Sequence, residues 1–141
     1  MATRRETILQ AFVSALAGTA QVGSRIYRSR AQALIRAEAP ALIVEPLDDN
    51  PVNEVLPKLD WRLNVQVAVY TRGTPADQLA DPIVESIHTK LIGDAALQAL
   101  VTGLRPGPVR FLAVDGDQDA GITSLVYEVR YRTSFANLSL S

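Results

Sequence analysis

Two stretches of alternating sequence constrain this chain more than any other feature. Between Leu59 and Thr71, Trp61, Leu63, Val65, Val67 and Val69 take every second position, and Arg62, Asn64, Gln66 and Tyr70 lie between them, with Ala68 neutral. Between Ile122 and Phe135, Leu125, Tyr127, Val129, Tyr131 and Phe135 share one face, and Glu128, Arg130, Arg132 and Ser134 the other. Period two predicts strands with one apolar face each. They run 13 and 14 residues, where an ordinary strand has about 5–6. At roughly 3.3 Å per residue each extends about 40–45 Å. A globule of this length is about 37 Å across. The ribbons must bend at bulges or project from the body, and a projecting hairpin offers unpaired edges to another chain.

The remaining segments supply partners for these ribbons. Thr3-Arg4-Arg5-Glu6 reads as a capping box, with Thr3 accepting from the Glu6 amide and Glu6 reaching back. Ile8, Leu9, Phe12, Val13 and Leu16 follow at helical spacing, and Gly18 supplies a left-handed stop, which predicts a helix over 4–17. Arg25–Arg28 is a candidate short strand, and Ser29–Ala37 a candidate short helix ending before Pro40. Ala41–Glu45 is apolar and β-branched, a strand closed by Pro46. Residues 47–58, with two prolines and three acids, read as a long connection.

After Gly73 a second helix is expected, ending near Ile92, with its apolar stripe at Leu79, Ile83, Val84, Ile87 and Leu91. Two starts are open. Capping by Thr74 with Pro75 at the first position gives a long helix bent at Pro82, and capping by Asp81 with Pro82 first gives a shorter, straight one. Asp94–Val101 reads as one or two more helical turns, Pro108–Val114 as a strand, and Asp115–Gly121 as a polar turn. Strands joined by hairpins with helices to one side make an α+β fold: a single, mostly antiparallel sheet with two main helices on one face and long projecting hairpins. The 141 residues, 48% apolar and 21% charged, suit one domain spanning 1–141.

The inventory of chemistry is thin. There is no cysteine, which excludes disulfides and thiolate metal sites. His88 is the only histidine, and its spacing from Glu85 is a weak metal signal without further ligands. No phosphate loop, dinucleotide fingerprint or nucleophile elbow is present, and Ser24 after Gly23 lacks the second glycine. Asp115, Asp117 and Asp119 imitate the start of a calcium loop, but Ala120 stands where glycine is required and Val126 where a bidentate acid belongs. The expectation is therefore a non-enzymatic protein with no cofactor and no metal. No apolar run reaches the ~18 residues a membrane span needs. Gln10 and Ser14 interrupt the apolar start, so no signal peptide is read and synthesis in a cytoplasm is expected.

Charge is uneven. Residues 1–36 carry six arginines and one glutamate, net +5. Residues 37–60 carry six acids and one lysine, net −5. The whole chain is near neutral at −1, which argues against a dedicated nucleic-acid binder. A basic start followed by an acidic segment suits head-to-tail contact between identical subunits. The expectation is that Arg4, Arg5, Arg25, Arg28 and Arg30 face acids such as Asp48, Asp49 and Glu54 of a neighbour.

The strand LNVQVAVYT, the helix ADQLADPIVESIHTKLIGD, the turn AALQALVTGL and the ending VYEVRYRT occur in this order between about residues 60 and 135. That succession resembles the tail-terminator and minor tail protein U group of siphovirus-like phages and related prophages. The first helix and ALIVEP fit it in order. The resemblance implies a small α+β subunit that closes into a hexameric ring, caps the growing tail tube and ends polymerisation. It implies three partners: further copies of itself, the major tail tube protein and a head-side connector. DNA would pass through the lumen without specific binding, and the place would be the neck region of a virion tail. Arg130 and Arg132, in the VYEVRYRT ending, join the candidate interface residues. Two alternatives stay open: another phage neck component, such as a head- or tail-completion adaptor, and a small ligand-binding regulatory domain.

Overall fold

The computed structural model describes residues 2–29, 38–114 and 117–140, with the backbone alone for 117–119. The order is α1 (Arg4–Leu16), β1 (Ile26–Arg28), β2 (Ala41–Val55), β3 (Lys58–Arg72), α2 (Ala76–Gly93), α3 (Ala95–Leu100), β4 (Gly103–Val114) and β5 (Asp117–Ser134). The strands form a five-stranded sheet in the order β1-β2-β3-β5-β4. All neighbours are antiparallel except β1 and β2, which run parallel. The fold is α+β.

The core lies between one face of the sheet and the helices. α1 brings Ile8, Leu9, Phe12, Ala15 and Leu16, and α2 brings Ala80, Ile83, Ile87 and Leu91. They meet Leu42 and Val44 of β2, Leu63, Val65, Val67 and Val69 of β3, and Leu125, Tyr127, Val129 and Tyr131 of β5. Each Val, Leu, Ile or Phe among them, taken fully out of water, contributes about 1.5–3 kcal/mol before the cost of ordering it. The alternation in β3 and β5 thus reads directly onto the core. Thr133 extends the buried row, but Phe135 does not: it is exposed, because the last β3–β5 pair is Lys58 with Ser134 and no strand continues beyond it.

The caps explain the helix ends. Thr3 Oγ1 accepts from the Glu6 amide at 3.2 Å. Glu6 does not reach back, since its carboxylate is held by Arg28 and Gln10, so half of the expected box forms. Past the C-terminus of α1, Gly18 adopts φ +80°, the left-handed conformation that favours glycine. α2 takes the long alternative, with Pro82 inside it, but Pro75 rather than Thr74 precedes its first residue and no side chain caps it. Leu79 leaves the expected stripe and is exposed, while Ala80 is buried in its place. Leu79 leans over Gly73, where an added Cβ would stand 2.5 Å from its Cδ1. Asp94 caps α3 by accepting from the Leu97 amide at 2.8 Å.

The largest departure from expectation is at residues 47–55, which form strand and not a connection. Pro46 and Pro51 read as stops, yet β1 covers β2 only from Leu42 to Val44. Beyond Val44 no described residue pairs with the outer side of β2, and at such an edge a proline breaks no ladder bond. The pairing with β3 slips between Pro46 and Asp48 and again between Pro51 and Asn53. Leu47 and Val52 fall in those slips, which erases the period-two signal. The polar turn expected at 115–121 is also shorter, since β5 begins at Asp117. The short helix expected over 29–37 lies, after Ser29, outside the described residues, as does Arg30.

Candidate assembly surface

Most of the charged residues singled out in the sequence have partners within the chain. Arg5 of α1 meets Asp49 of β2 at 3.4 Å within the chain. Asp49 faces the helices, its side chain only 7% exposed, and the Tyr131 hydroxyl donates to it. Removal from water pushes the Asp49 carboxyl up from its ordinary value despite Tyr131 and Arg5, and burial beside Asp49 pushes Tyr131 up as well. Arg28 grips Glu6 through both guanidinium nitrogens at 3.0 Å, which holds the Glu6 carboxyl below its ordinary value. Arg25 donates to the carbonyls of Pro40 and Gln21 at 2.8 and 2.7 Å. Arg4 reaches the Leu100 carbonyl at 3.4 Å.

Arg5, Arg28 and Arg25 therefore have partners inside one subunit. The acids are split. Asp49 is taken by Arg5, whereas Asp48 and Glu54 are exposed on β2, with Asp48 accepting from Asn64 at 2.7 Å. Arg130 bonds Glu128 at 2.9 Å, and Arg132 bonds Asp60 at 2.6 Å, which lowers the Asp60 carboxyl. These last four lie on the sheet face away from the helices, where the register sets Asp48, Asn64, Glu128 and Arg105 in one row.

Sequence reasoning missed a second feature, the exposure of β4. This strand pairs with β5 on one side and, among the described residues, has no strand on the other. None of the helices packs substantially against it. Val109 is 46%, Phe111 65% and Leu112 58% exposed. Val109 and Phe111 register with Leu125 and Thr123 on the helix side, and Leu112 with Ile122 on the other, so the strand is bare on both faces. The signal was present in PVRFLAV, which is apolar at both alternating positions. Such a run ordinarily marks a strand covered on both faces. A second exposed apolar group lies at the β2–β3 turn, where Val55 and Leu56 stand out. There the Phe135 amide bonds the Pro57 carbonyl at 2.7 Å, bringing exposed Phe135 alongside.

Several depressions mark the surface. The one at the start of α2, about 340 Å3, is lined by Gln21, Ala39, Pro40, Thr71, Arg72, Gly73, Leu79 and Ile83, with Arg72 its only ionisable side chain. His88 Nδ1 lies 3.1 Å from the Tyr127 hydroxyl, and the two rings stack. Burial raises the Tyr127 hydroxyl to about 12. Among the described residues no three His, Asp or Glu side chains gather as metal ligands, and no helix is long and apolar enough to cross a membrane.

No family model matches the sequence, and no curated protein matches it. Solved structures do match the fold. A chain from the virion of a native gene transfer agent particle superposes with a TM-score of 0.57 at 15% identity. The superposition covers 92% of this chain and 92% of that one, so the two share a fold over nearly their whole length.

Proposed function

We propose that this chain is a structural, non-enzymatic subunit of a phage or phage-like virion, a single tail-terminator-like domain over 1–141. In this reading copies close into a hexameric ring in the neck region. The ring caps the tail tube, ends its polymerisation and presents its other side to the head connector, while DNA passes through without specific binding. The observation that carries the reading is the end-to-end likeness to a chain of a gene transfer agent virion. The resemblance carried by the ordered motifs between residues 60 and 135 favours the terminator among virion proteins. The bare β4 strand supports self-assembly, because monomers rarely leave a contiguous apolar edge open.

The test is electron microscopy of the purified chain, alone and with its tail tube protein. The reading expects rings, and tubes whose growth stops at a ring-capped end. A monomer that leaves tube growth unchanged contradicts it. Deleting the gene from its particle separates the terminator from a neck adaptor: terminator loss gives overlong tails, and adaptor loss gives normal tails with detached heads.

A further inference from the structure

Two edges of the sheet that no described residue covers differ in charge. β4, Gly103–Val114, carries Arg105 and Arg110 and no acid. β2, Ala41–Val55, carries Glu45, Asp48, Asp49 and Glu54 and no base. They lie on opposite sides of the sheet, and β1 shields β2 only at Leu42–Val44. Both edges also expose apolar side chains: Val109, Phe111 and Leu112 on β4, Leu47, Val52 and Val55 on β2.

We propose that β4 of one copy docks against the outer half of β2 of the next copy, which no described residue covers, with Arg105 and Arg110 beside Asp48 on the face away from the helices and Glu54 farther along the same edge. This rests on the self-assembling reading above and names the surfaces it would use. It replaces the N-terminal arginines of the sequence expectation with those of β4, because Arg5 and Arg28 are paired within the chain. Strand direction agrees. β4 runs antiparallel to β5, β5 to β3, and β3 to β2, so β4 runs opposite to β2 of an equally oriented copy. Two different patches meeting head to tail are what a closed ring needs.

The competing self-pairings are disfavoured on each side. Two β4 edges would oppose arginines, and like charges across a strand pair repel. Two β2 edges would oppose acids, which repel in the same way. Only the mixed contact brings opposite charges together. The four charged side chains are exposed, so reversing them spares the core.

The experiment uses two variants of the full chain, followed by sedimentation velocity at low salt. The first is Arg105→Glu with Arg110→Glu, and the second is Asp48→Arg with Glu54→Arg. Each alone is expected to assemble at least about ten-fold more weakly than wild type, a loss of about 1.4 kcal/mol or more. An equimolar mixture is expected to recover assembly, since every interface in an alternating ring then joins opposite charges. Recovery also shows that both variants are folded. Wild-type assembly by the β2 variant alone overturns the proposal, as does a mixture of folded variants that stays apart. Wild type that remains monomeric at all concentrations and on tube ends overturns the self-assembling reading itself.

Discussion

β3 and β4 lie in the same sheet, separated only by β5, yet they live in different environments. β3 has a strand on each side and buries Leu63, Val65, Val67 and Val69 completely under the helices. β4 has one neighbour, reaches beyond the helices, and leaves Phe111 about as open as a loop residue. The difference is not one of apolar content. It is whether the chain's own helices extend far enough to cover the strand. α1 and α2 lie over β1, β2, β3 and β5, so β3 serves the fold and β4 is left for something outside it.

The sharpest way to break this comparison is to truncate matched residues and measure urea unfolding of the dilute chain. Phe12→Ala, in the core against Tyr127, should cost about 3–5 kcal/mol, and Leu63→Ala on β3 about 2–5 kcal/mol. Phe111→Ala should change stability by no more than about 0.5 kcal/mol. In assembly the order reverses: Phe111→Asp should abolish higher species in sedimentation while leaving the melting curve of the monomer in place. A Phe111 substitution that destabilises the monomer as Phe12→Ala does would erase the distinction between the two regions.

Smaller effects sharpen the picture at the end of the sheet where α1 meets β2. Thr3→Ala removes the side chain that caps α1 and should cost about 1 kcal/mol, read by thermal or urea unfolding. Three carboxyls, Glu6 and Asp49 there and Asp60 on the opposite sheet face, should depart from ordinary titration in different directions when followed by NMR. Glu6 and Asp60, lowered by Arg28 and Arg132, should titrate below ordinary carboxylates, and Asp49, raised by burial, above them. The signs differ for stability. The Glu6 and Asp60 pairs stabilise above the unfolded pKa and lose that contribution as pH falls through the lowered values. Ionisation of Asp49 works against folding, so its contribution is present at low pH and lost as pH rises through the raised value. Both pairs are exposed, so their effect is small and fades in salt.

The sequence exposed the parts of this fold whose burial follows a regular period. β3, β5, α1 and the Ile83–Ile87–Leu91 stripe of α2 were legible because one face meets the core throughout. Residues 47–55 were not, because two register slips and two edge prolines break the alternation while the strand continues. The candidate interface was legible as charge but not as geometry. The acidic stretch was visible, whereas Arg5 closing on Asp49 inside the subunit depends on how α1 crosses β2, which no local pattern encodes. The openness of β4 was hidden for a related reason: PVRFLAV shows that cover is needed, and only the reach of the helices shows that the chain does not provide it.

Hydrogen exchange of the backbone amides, compared between the dilute monomer and the assembled ring, tests the central claim most directly. The β3 amides should be protected in both states, and the outward amides between Val109 and Val114 should exchange rapidly in the monomer and become protected on assembly. Assembly that leaves the exchange of Val109–Val114 unchanged would contradict the account.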